Sequence, residues 1–331
     1  MRTMKIPHPW TDEEERAAHR VASAGRSYLY LASRLLSDPV QRTAFEVAYA
    51  SMRGVDDAVD EHAPGPGEAG ARAAVRRWLG RVRAARRGDA GRGHWLQSSL
   101  AALFRSFELP FEPWELLGAA LLEDVRRDGF ETLEDFLAYA EGVAVGPGRL
   151  FAMVVSARPR RGRYVPHPTS ADPGFAALAR FTYLVHGLRD LGRDLAGPAR
   201  GTALAPRAEL RAAGLDPADL AQGPADRRRA WALSVASRAR ALRAGAGDPW
   251  DGPDPLPPEP AFVLAFLIRL YERQLDRIEE CGGDVFGDAH RMGPADVLAA
   301  AEELAGERPG APPDWRARLE LELGGVGAPR A

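Results

Sequence analysis

The chain has 331 residues, of which 45% are hydrophobic and 27% charged, so it has enough apolar material for a large core and is not a wholly disordered protein. Its 44 Lys and Arg residues and 46 Asp and Glu residues leave a formal net charge of -2. This balance argues against a nucleic-acid-binding protein, because no basic excess is available to neutralise a phosphate backbone. The single cysteine, Cys281, excludes an intramolecular disulfide and a thiolate zinc site.

The N-terminal segment MRTMKIPHPWTDEEER is polar and acidic and lacks the apolar core of a secretory signal. The apolar stretch from Phe262 to Leu270 is shorter than the roughly 20 apolar residues that cross a bilayer. We therefore expect a cytoplasmic protein in a reducing compartment.

Apolar residues recur at helical spacing along most of the chain, without sustained period-two alternation, which predicts an all-α fold. The predicted helices, in chain order, are Asp12 to Leu36, Pro39 to His62, Ala71 to Arg87, Gly93 to Arg105, Glu112 to Arg127, Leu133 to Val145, Gly148 to Ser156, Pro173 to Leu195, Pro206 to Ala213, Pro217 to Leu220, Ala225 to Ala244, Glu259 to Cys281 and Pro294 to Gly306. We expect one domain over residues 1–306, because the apolar faces continue across the turn-rich loops at 63–70, 166–173 and 245–260. Residues 307–331 are expected to form a loosely held tail.

Two of these helices carry aspartates at helical spacing on an otherwise apolar face. In the helix that begins at Pro39, steps of three or four residues place on one stripe Tyr49, Arg53, Asp56 and Asp60, with Asp57 beside it. In the helix that begins at Pro173, the same spacing aligns Tyr183, His186, Asp190 and Asp194.

Aspartates four residues apart repel each other by roughly a few tenths of a kcal/mol per pair, and partial burial increases the cost. One compensation is solvent exposure or pairing with Arg53 and Arg189. Another is a hard divalent cation such as Mg²⁺, which takes one or two carboxylates together with waters and the phosphate oxygens of a substrate. On this second interpretation, two facing stripes hold a diphosphate through bridging metals, and arginines bind its remaining oxygens.

Two further acidic sites have a less specific interpretation. Asp124 and Asp128 stand four residues apart beside Arg126 and Arg127, and we expect them on a solvated face. Glu141 lies on an apolar helix, where burial without a partner is costly. It is expected either to face a cavity or to pair with an arginine.

Four segments, in order along the chain, resemble the squalene and phytoene synthase family. They are SRLLSDPVQRTAFEVAYASMRGVDDAVDE (33–61), EDVRRDGFETLEDFLAYAEGVAVGPGRL (123–150), LRDLGRD (188–194) and LYERQLDRIEECGGDVF (270–286). A lone DxxxD is a weak signal, but four ordered segments that span most of the chain are a specific one.

The resemblance implies a single-domain α-helical prenyl synthase fold with a central cavity. It implies a Mg²⁺-dependent enzyme that joins two allylic prenyl diphosphates, commonly farnesyl or geranylgeranyl diphosphate, head to head. Ionisation of the first substrate and capture of its cation by the second would give a cyclopropyl intermediate and then a squalene-, presqualene- or phytoene-type product. Use of NADPH is not indicated by the residues. Partner isoprenoid enzymes and peripheral membrane association are compatible with the resemblance, because long prenyl products partition into lipid.

By position, the resemblance assigns Mg²⁺ ligation, and with it a part in catalysis, to Asp56, Asp60, Asp190 and Asp194, with Asp57 in support. Diphosphate binding is assigned to Arg53 and Arg189. The places of the family's other polar groups near the diphosphate are taken by Ser27, Arg26 and Arg200.

The chain also departs from the family pattern. His186 stands where asparagine is usual, and an imidazole is a poorer Mg²⁺ ligand than an amide oxygen; it is expected at the metal site as a ligand, an outer group or a base. Tyr183 stands in place of glutamine and Glu141 in place of a tyrosine, and both are candidate catalytic residues. Two alternatives therefore stay open: a diverged member that ionises one prenyl diphosphate to an alcohol or cyclic terpene, and a noncatalytic prenyl-lipid-binding subunit.

Overall fold

The computed structural model describes residues 6–60, 68–91, 93–197 and 203–324, with Asp60 and Asp219 described by their backbone alone. The helices are α1 (Asp12–Ala24), α2 (Tyr28–Ser33), α3 (Pro39–Asp60), α4 (Glu68–Arg86), α5 (Trp95–Ser106), α6 (Glu112–Asp124), α7 (Leu133–Ala140), α8 (Gly146–Ser156), α9 (Pro173–Ala196), α10 (Arg207–Ala212), α11 (Ala225–Ala246), α12 (Pro258–Glu280), α13 (Pro294–Glu307) and α14 (Trp315–Gly324). The prediction of an all-α fold is confirmed.

The two helices with aspartate stripes begin at capping residues followed by proline. The Asp38 carboxylate accepts a hydrogen bond from the Val40 backbone N–H at 2.8 Å, and the Asp172 carboxylate accepts one from the Gly174 N–H at 2.7 Å. Each cap satisfies a backbone donor that the first helical turn leaves without a partner. The proline in the next position has no N–H to satisfy and a φ already suited to a helix, so both starts are fixed locally by the sequence.

Helices α9 and α12 lie at the centre of the packing. α9 packs against α8, α11 and α12, while α3 packs against α1, α4, α5 and α8. On α12, Phe262, Phe266 and Leu270 are fully buried, and apolar residues on all sides of its first half mark an interior helix. The buried side chains form one cluster that extends from Trp10 to Leu323.

The predicted helix from Asp12 to Leu36 is wrong in one respect, because the structure divides it into α1 and α2. Arg26 has a φ of +41°, in the left-handed region, and the Ser27 hydroxyl then accepts a hydrogen bond from the Tyr30 N–H at 3.2 Å. A left-handed residue ends a helix and a serine cap begins the next. Apolar periodicity continues across this break, which explains why the pattern did not reveal it.

A two-stranded antiparallel hairpin, β1 (Arg158–Arg160) and β2 (Arg163–Val165), was not predicted. Strands of three residues are too short to show an alternating pattern. The hairpin is fixed by Tyr164, whose ring stacks on Phe107 at 4.5 Å and whose hydroxyl donates to the Asp38 carboxylate at 2.6 Å.

The expectation of a loosely held tail is wrong for residues 315–324, which form α14 with Leu319 fully buried. The Glu322 carboxylate accepts a hydrogen bond from the Tyr30 hydroxyl at 2.7 Å and pairs with the Arg34 guanidinium at 2.8 Å. These contacts tie α14 to α2. None of the described helices is both long enough and apolar enough to cross a bilayer.

Leu319→Ala tests whether α14 belongs to the folded core. Because Leu319 is fully buried, we expect the substitution to lower the free energy of unfolding by about 2–5 kcal/mol, measured by urea denaturation. Leu321→Ala is the matched control, since Leu321 lies on the same helix and is exposed; it should change stability by less than about 0.5 kcal/mol. Equal, small effects of the two substitutions would show that the segment is loosely held after all.

Candidate functional site

A buried ion pair lies at the centre of the site on α9. The Arg189 guanidinium binds the Asp190 carboxylate with two parallel hydrogen bonds, Nε to Oδ1 at 3.1 Å and Nη2 to Oδ2 at 2.6 Å. Arg193 adds a contact from Nη2 to Oδ2 at 3.0 Å. The Asp190 side chain is only 4% exposed. Burial by itself would raise its pKa, but the Arg189 hydrogen bonds and the surrounding positive charge outweigh burial and lower the pKa to about 2.

Residues of α2, α12 and the segment after α12 hold Arg189 in place. Its guanidinium lies over the Tyr28 ring, 5.1 Å from the centroid, and its backbone carbonyl accepts a hydrogen bond from His290 Nε2 at 2.9 Å. Gln274 joins these two supports, because it accepts from the Tyr28 hydroxyl at 2.9 Å and donates to the His290 carbonyl at 2.7 Å. These supporting contacts were missed from the sequence.

His186 has both ring nitrogens engaged by its neighbours. Arg189 Nη2 donates to Nδ1 at 2.9 Å, and Nε2 lies 3.4 Å from the Asp190 carboxylate. With Nδ1 accepting, the ring proton belongs on Nε2, so neither nitrogen offers a lone pair to a metal. The expected role of His186 as a Mg²⁺ ligand is therefore not supported by the geometry. Burial and the positive charge of Arg189 together lower the pKa of His186 to about 4, although 39% of the side chain is exposed.

The stripe on α3 is more open than that on α9. Arg53 Nη2 lies 2.6 Å from an Asp57 oxygen, and Arg53 Nη1 lies 4.0 Å from an Asp56 oxygen. All three side chains are about half exposed. Pairing with arginine, one of the two compensations expected from the sequence, is thus present on both helices. The side chain of Asp60 and the whole of Arg200 lie outside the described residues, so their assignments stay predictions.

Charges on α3 affect two rings carried by α9. Burial raises the pKa of Tyr183, and the carboxylates of Asp124 and Asp56 raise it further. The guanidinium of Arg53 is one of the positive charges that lower the pKa of His186. That the two stripes face each other stays a prediction.

Aromatic rings form one wall of the site. Tyr183 stacks on His186 with ring centroids 6.3 Å apart and on Phe136 at 5.0 Å. Phe136 in turn meets Phe130 edge to face at 5.1 Å, and Tyr139 lies 6.2 Å from Tyr183. The result is a continuous aromatic surface beside the charged groups.

Asp124 is buried behind this wall, and its expected place on a solvated face is wrong. Its side chain is 8% exposed, and its carboxylate accepts hydrogen bonds from the Tyr139 hydroxyl at 2.5 Å and from Arg127 Nε at 3.3 Å. Burial raises its pKa to about 6, against the lowering effect of those two donors. Asp128 is exposed, as expected. A recess of about 330 Å³ opens beside Arg127 and Tyr139.

Glu141 pairs with an arginine, which decides between the two alternatives left open by the sequence. Both the Nε and the Nη2 of Arg180 lie 2.5 Å from a Glu141 oxygen. Glu141 begins a π-helical segment, Glu141–Val145, which precedes α8. Its carboxylate is thus already neutralised.

Ser27 and Arg26 have structural roles at the break between α1 and α2. The Ser27 hydroxyl caps α2, and Arg26 ends α1. Diphosphate binding by these two residues stays a prediction.

Among the described residues, no three His, Cys, Asp or Glu side chains are grouped so that they could hold a metal ion. Mg²⁺ requires few protein ligands, because it keeps several waters and binds substrate phosphates. Half-exposed Asp56 and Asp57 offer oxygen donors of the kind it prefers. Asp190 does not fit, because both of its oxygens are bound by guanidinium groups and it is buried.

Comparisons with known proteins show the family and the fold. The family model for squalene/phytoene synthase matches residues 22–295. Among solved structures, the chain is similar to squalene synthase HpnC from Alicyclobacillus acidocaldarius, with 24% identity, coverage of 82% of this chain and 94% of that chain, and a TM-score of 0.66. It is similar to a dehydrosqualene synthase in complex with ligand, with 17% identity, 89% and 98% coverage and a TM-score of 0.70. It is also similar to YisP from Bacillus subtilis subsp. subtilis strain 168, with 16% identity, 88% and 95% coverage and a TM-score of 0.62. A search of the curated proteins found no match. At these identities the structural similarities establish the fold.

Asp124→Asn tests the electrostatics behind the aromatic wall. Because the folded-state pKa of about 6 lies above the ordinary value of 3.8, the native state retains a proton that the unfolded state loses. The stabilisation from this proton is complete below the ordinary pKa and is lost as the pH rises through about 6. Relative to wild type, we therefore expect the variant to gain free energy of unfolding between pH 4 and pH 7, by up to about 3 kcal/mol.

The measurement is urea denaturation of both proteins at several pH values in this range. Asp128→Asn is the control, since Asp128 is exposed on the same segment; its difference from wild type should not grow between pH 4 and pH 7. A pH-independent effect of Asp124→Asn would contradict the described burial of this carboxyl.

Proposed function

Because the chain belongs to the squalene/phytoene synthase family and is a prenyltransferase, we propose that it condenses two molecules of farnesyl or geranylgeranyl diphosphate head to head in a Mg²⁺-dependent reaction. The product would be of the squalene, presqualene or phytoene type, with release of diphosphate. The observation that carries this proposal is the set of arginine–aspartate pairs on α3 and α9, the latter next to an aromatic wall.

The charged groups bind and orient the leaving diphosphate. Asp56 and Asp57 would hold Mg²⁺, which when bound stabilises the negative charge that develops on the departing diphosphate. Arg53 donates to phosphate oxygens, and Arg189 does so through Nη1, the donor group that does not bind Asp190. Together these contacts favour cleavage of the C–O bond of the first substrate.

The aromatic wall would receive the allylic cation that remains. Tyr183 and Tyr139 supply the aromatic rings there, supported by buried Phe136, and ring faces attract cations. Their apolar surface also keeps water away from the cation until the double bond of the second substrate reaches it. Capture by that double bond would give a second cation, and loss of a proton from it to the released diphosphate would close the ring of the cyclopropyl intermediate.

Buried Asp124 favours a second candidate function, ionisation of a single prenyl diphosphate that ends in an alcohol or a cyclic product. Its carboxylate is hydrogen-bonded to Tyr139, and Tyr139 lies beside Tyr183 in the aromatic wall. A carboxylate with a pKa of about 6 is well matched to accept a proton near neutral pH. Such a group could take the proton released when water adds to the cation or when the cation eliminates.

Product analysis separates these candidates. The purified chain is incubated with farnesyl or geranylgeranyl diphosphate and Mg²⁺, released diphosphate is measured, and the organic extract is examined by mass spectrometry. We expect a C30 or C40 product. A monomeric alcohol or cyclic terpene would establish the second candidate instead, and no diphosphate release with either substrate would contradict both.

Asp56→Asn tests the role of the α3 stripe. Loss of the carboxylate charge should weaken Mg²⁺ binding and stabilisation of the transition state, so we expect kcat to fall by about 100-fold or more. Circular dichroism should show unchanged helical content. Asp128→Asn, which alters an exposed aspartate outside both stripes, should retain wild-type turnover. Wild-type activity in the Asp56 variant would reject this carboxylate as part of the site.

A further inference from the structure

Among the described residues, the net charge of the site groups on α9 differs from that of the site groups on α3. On α9, the negative charges of Asp190 and Asp194 are matched by the positive charges of Arg189 and Arg193, which contact these same carboxylates. On α3, one guanidinium, Arg53, lies beside the two carboxylates Asp56 and Asp57. A divalent cation is attracted to a surplus of negative charge, and the described groups of the α9 cluster have none.

The Asp190 carboxylate is also closed to a metal by its contacts. Its Oδ1 accepts from Arg189 Nε at 3.1 Å, and its Oδ2 accepts from Arg189 Nη2 at 2.6 Å and Arg193 Nη2 at 3.0 Å. Only 4% of the side chain is exposed. Before Asp190 could coordinate Mg²⁺, its buried, bidentate ion pair with Arg189 would have to break.

Arg193 has N–H donors that are not bound to the Asp190 or Asp194 carboxylates. It is 63% exposed, and its contacts to Asp190 and Asp194, at 3.0 and 3.4 Å, both use Nη2. A guanidinium carries five N–H donors in a fixed fork. The remaining donors can therefore face an incoming anion while Nη2 stays bound to the carboxylates.

We propose that α9 binds the substrate diphosphate directly through the guanidinium groups of Arg193 and Arg189 and does not hold a divalent cation, so that metal binding is confined to α3. This inference rests on the proposed function, since it concerns the diphosphate of the same site. Arg193 acts as a diphosphate-binding residue. Asp190 and Asp194 position the two arginines and keep the cluster electrically neutral before substrate binds.

Binding of inorganic pyrophosphate without a divalent cation is the test. In the presence of a chelator, we expect wild-type protein to bind pyrophosphate in isothermal titration calorimetry, and Arg193→Gln to weaken that binding by about tenfold or more, as loss of a charge-assisted contact does. Arg238→Gln is the matched control, because Arg238 is an exposed arginine paired with a carboxylate, Glu134, outside the two stripes; it should bind as wild type does. A requirement for metal in wild-type binding, or unchanged metal-free affinity in Arg193→Gln, would overturn the proposal.

Arg193→Glu provides a reciprocal test with a different readout. This substitution changes the α9 group from neutral to an excess of two negative charges, so with pyrophosphate present we expect it to bind one more Mn²⁺ per chain than wild type, counted by electron paramagnetic resonance. An unchanged Mn²⁺ count, or an Mn²⁺ in the wild-type protein that is lost on Asp190→Asn but not on Asp56→Asn, would contradict confinement of the metal to α3. Both tests use pyrophosphate alone, so failure of the proposed condensation would appear in the product assay and leave these results unaffected.

Discussion

The arrangement of the site depends on one buried interaction, the two-bonded ion pair between Arg189 and Asp190. Charged groups are buried in proteins only when they are paired and their remaining hydrogen bonds are satisfied. Here three other parts of the fold supply the support: the Tyr28 ring from α2, Gln274 from α12 and His290 from the following segment. The ion pair therefore joins the helix that carries the site to the elements packed behind it.

In the proposed reaction, the two stripes have different parts in the departure of diphosphate. On α3, half-exposed carboxylates beside a single arginine can accept a hydrated cation. On α9, guanidinium groups already neutralise the carboxylates, and Arg193 extends donors toward solvent. In the proposed reaction, positive charge would reach the leaving group as metal from one helix and as guanidinium from the other. The aromatic wall begins at Tyr183, which stacks on His186 of α9, and the organic cation would form beside it.

The sequence predicted the features that are encoded locally. Helical periodicity and the Asp-Pro starts of α3 and α9 depend on neighbouring residues, and the structure contains both helices. Features that depend on contacts between distant residues were not predictable in the same way. Asp124 stands beside charged residues in the sequence, as a surface residue does. In the structure, Tyr139, 15 residues away, covers it. The packed α14 depends on Tyr30 and Arg34, nearly 300 residues earlier.

The most direct test of the central claim is to locate the metal relative to the two stripes. A crystal structure with Mn²⁺ and inorganic pyrophosphate, with data collected at the manganese absorption edge, identifies each metal by its anomalous scattering. We predict manganese between the α3 carboxylates and the pyrophosphate, with Arg189 still bound to Asp190 and Arg193 in contact with a phosphate oxygen. A manganese ion coordinated by Asp190 and Asp194, with the Arg189 pair broken, would contradict the account.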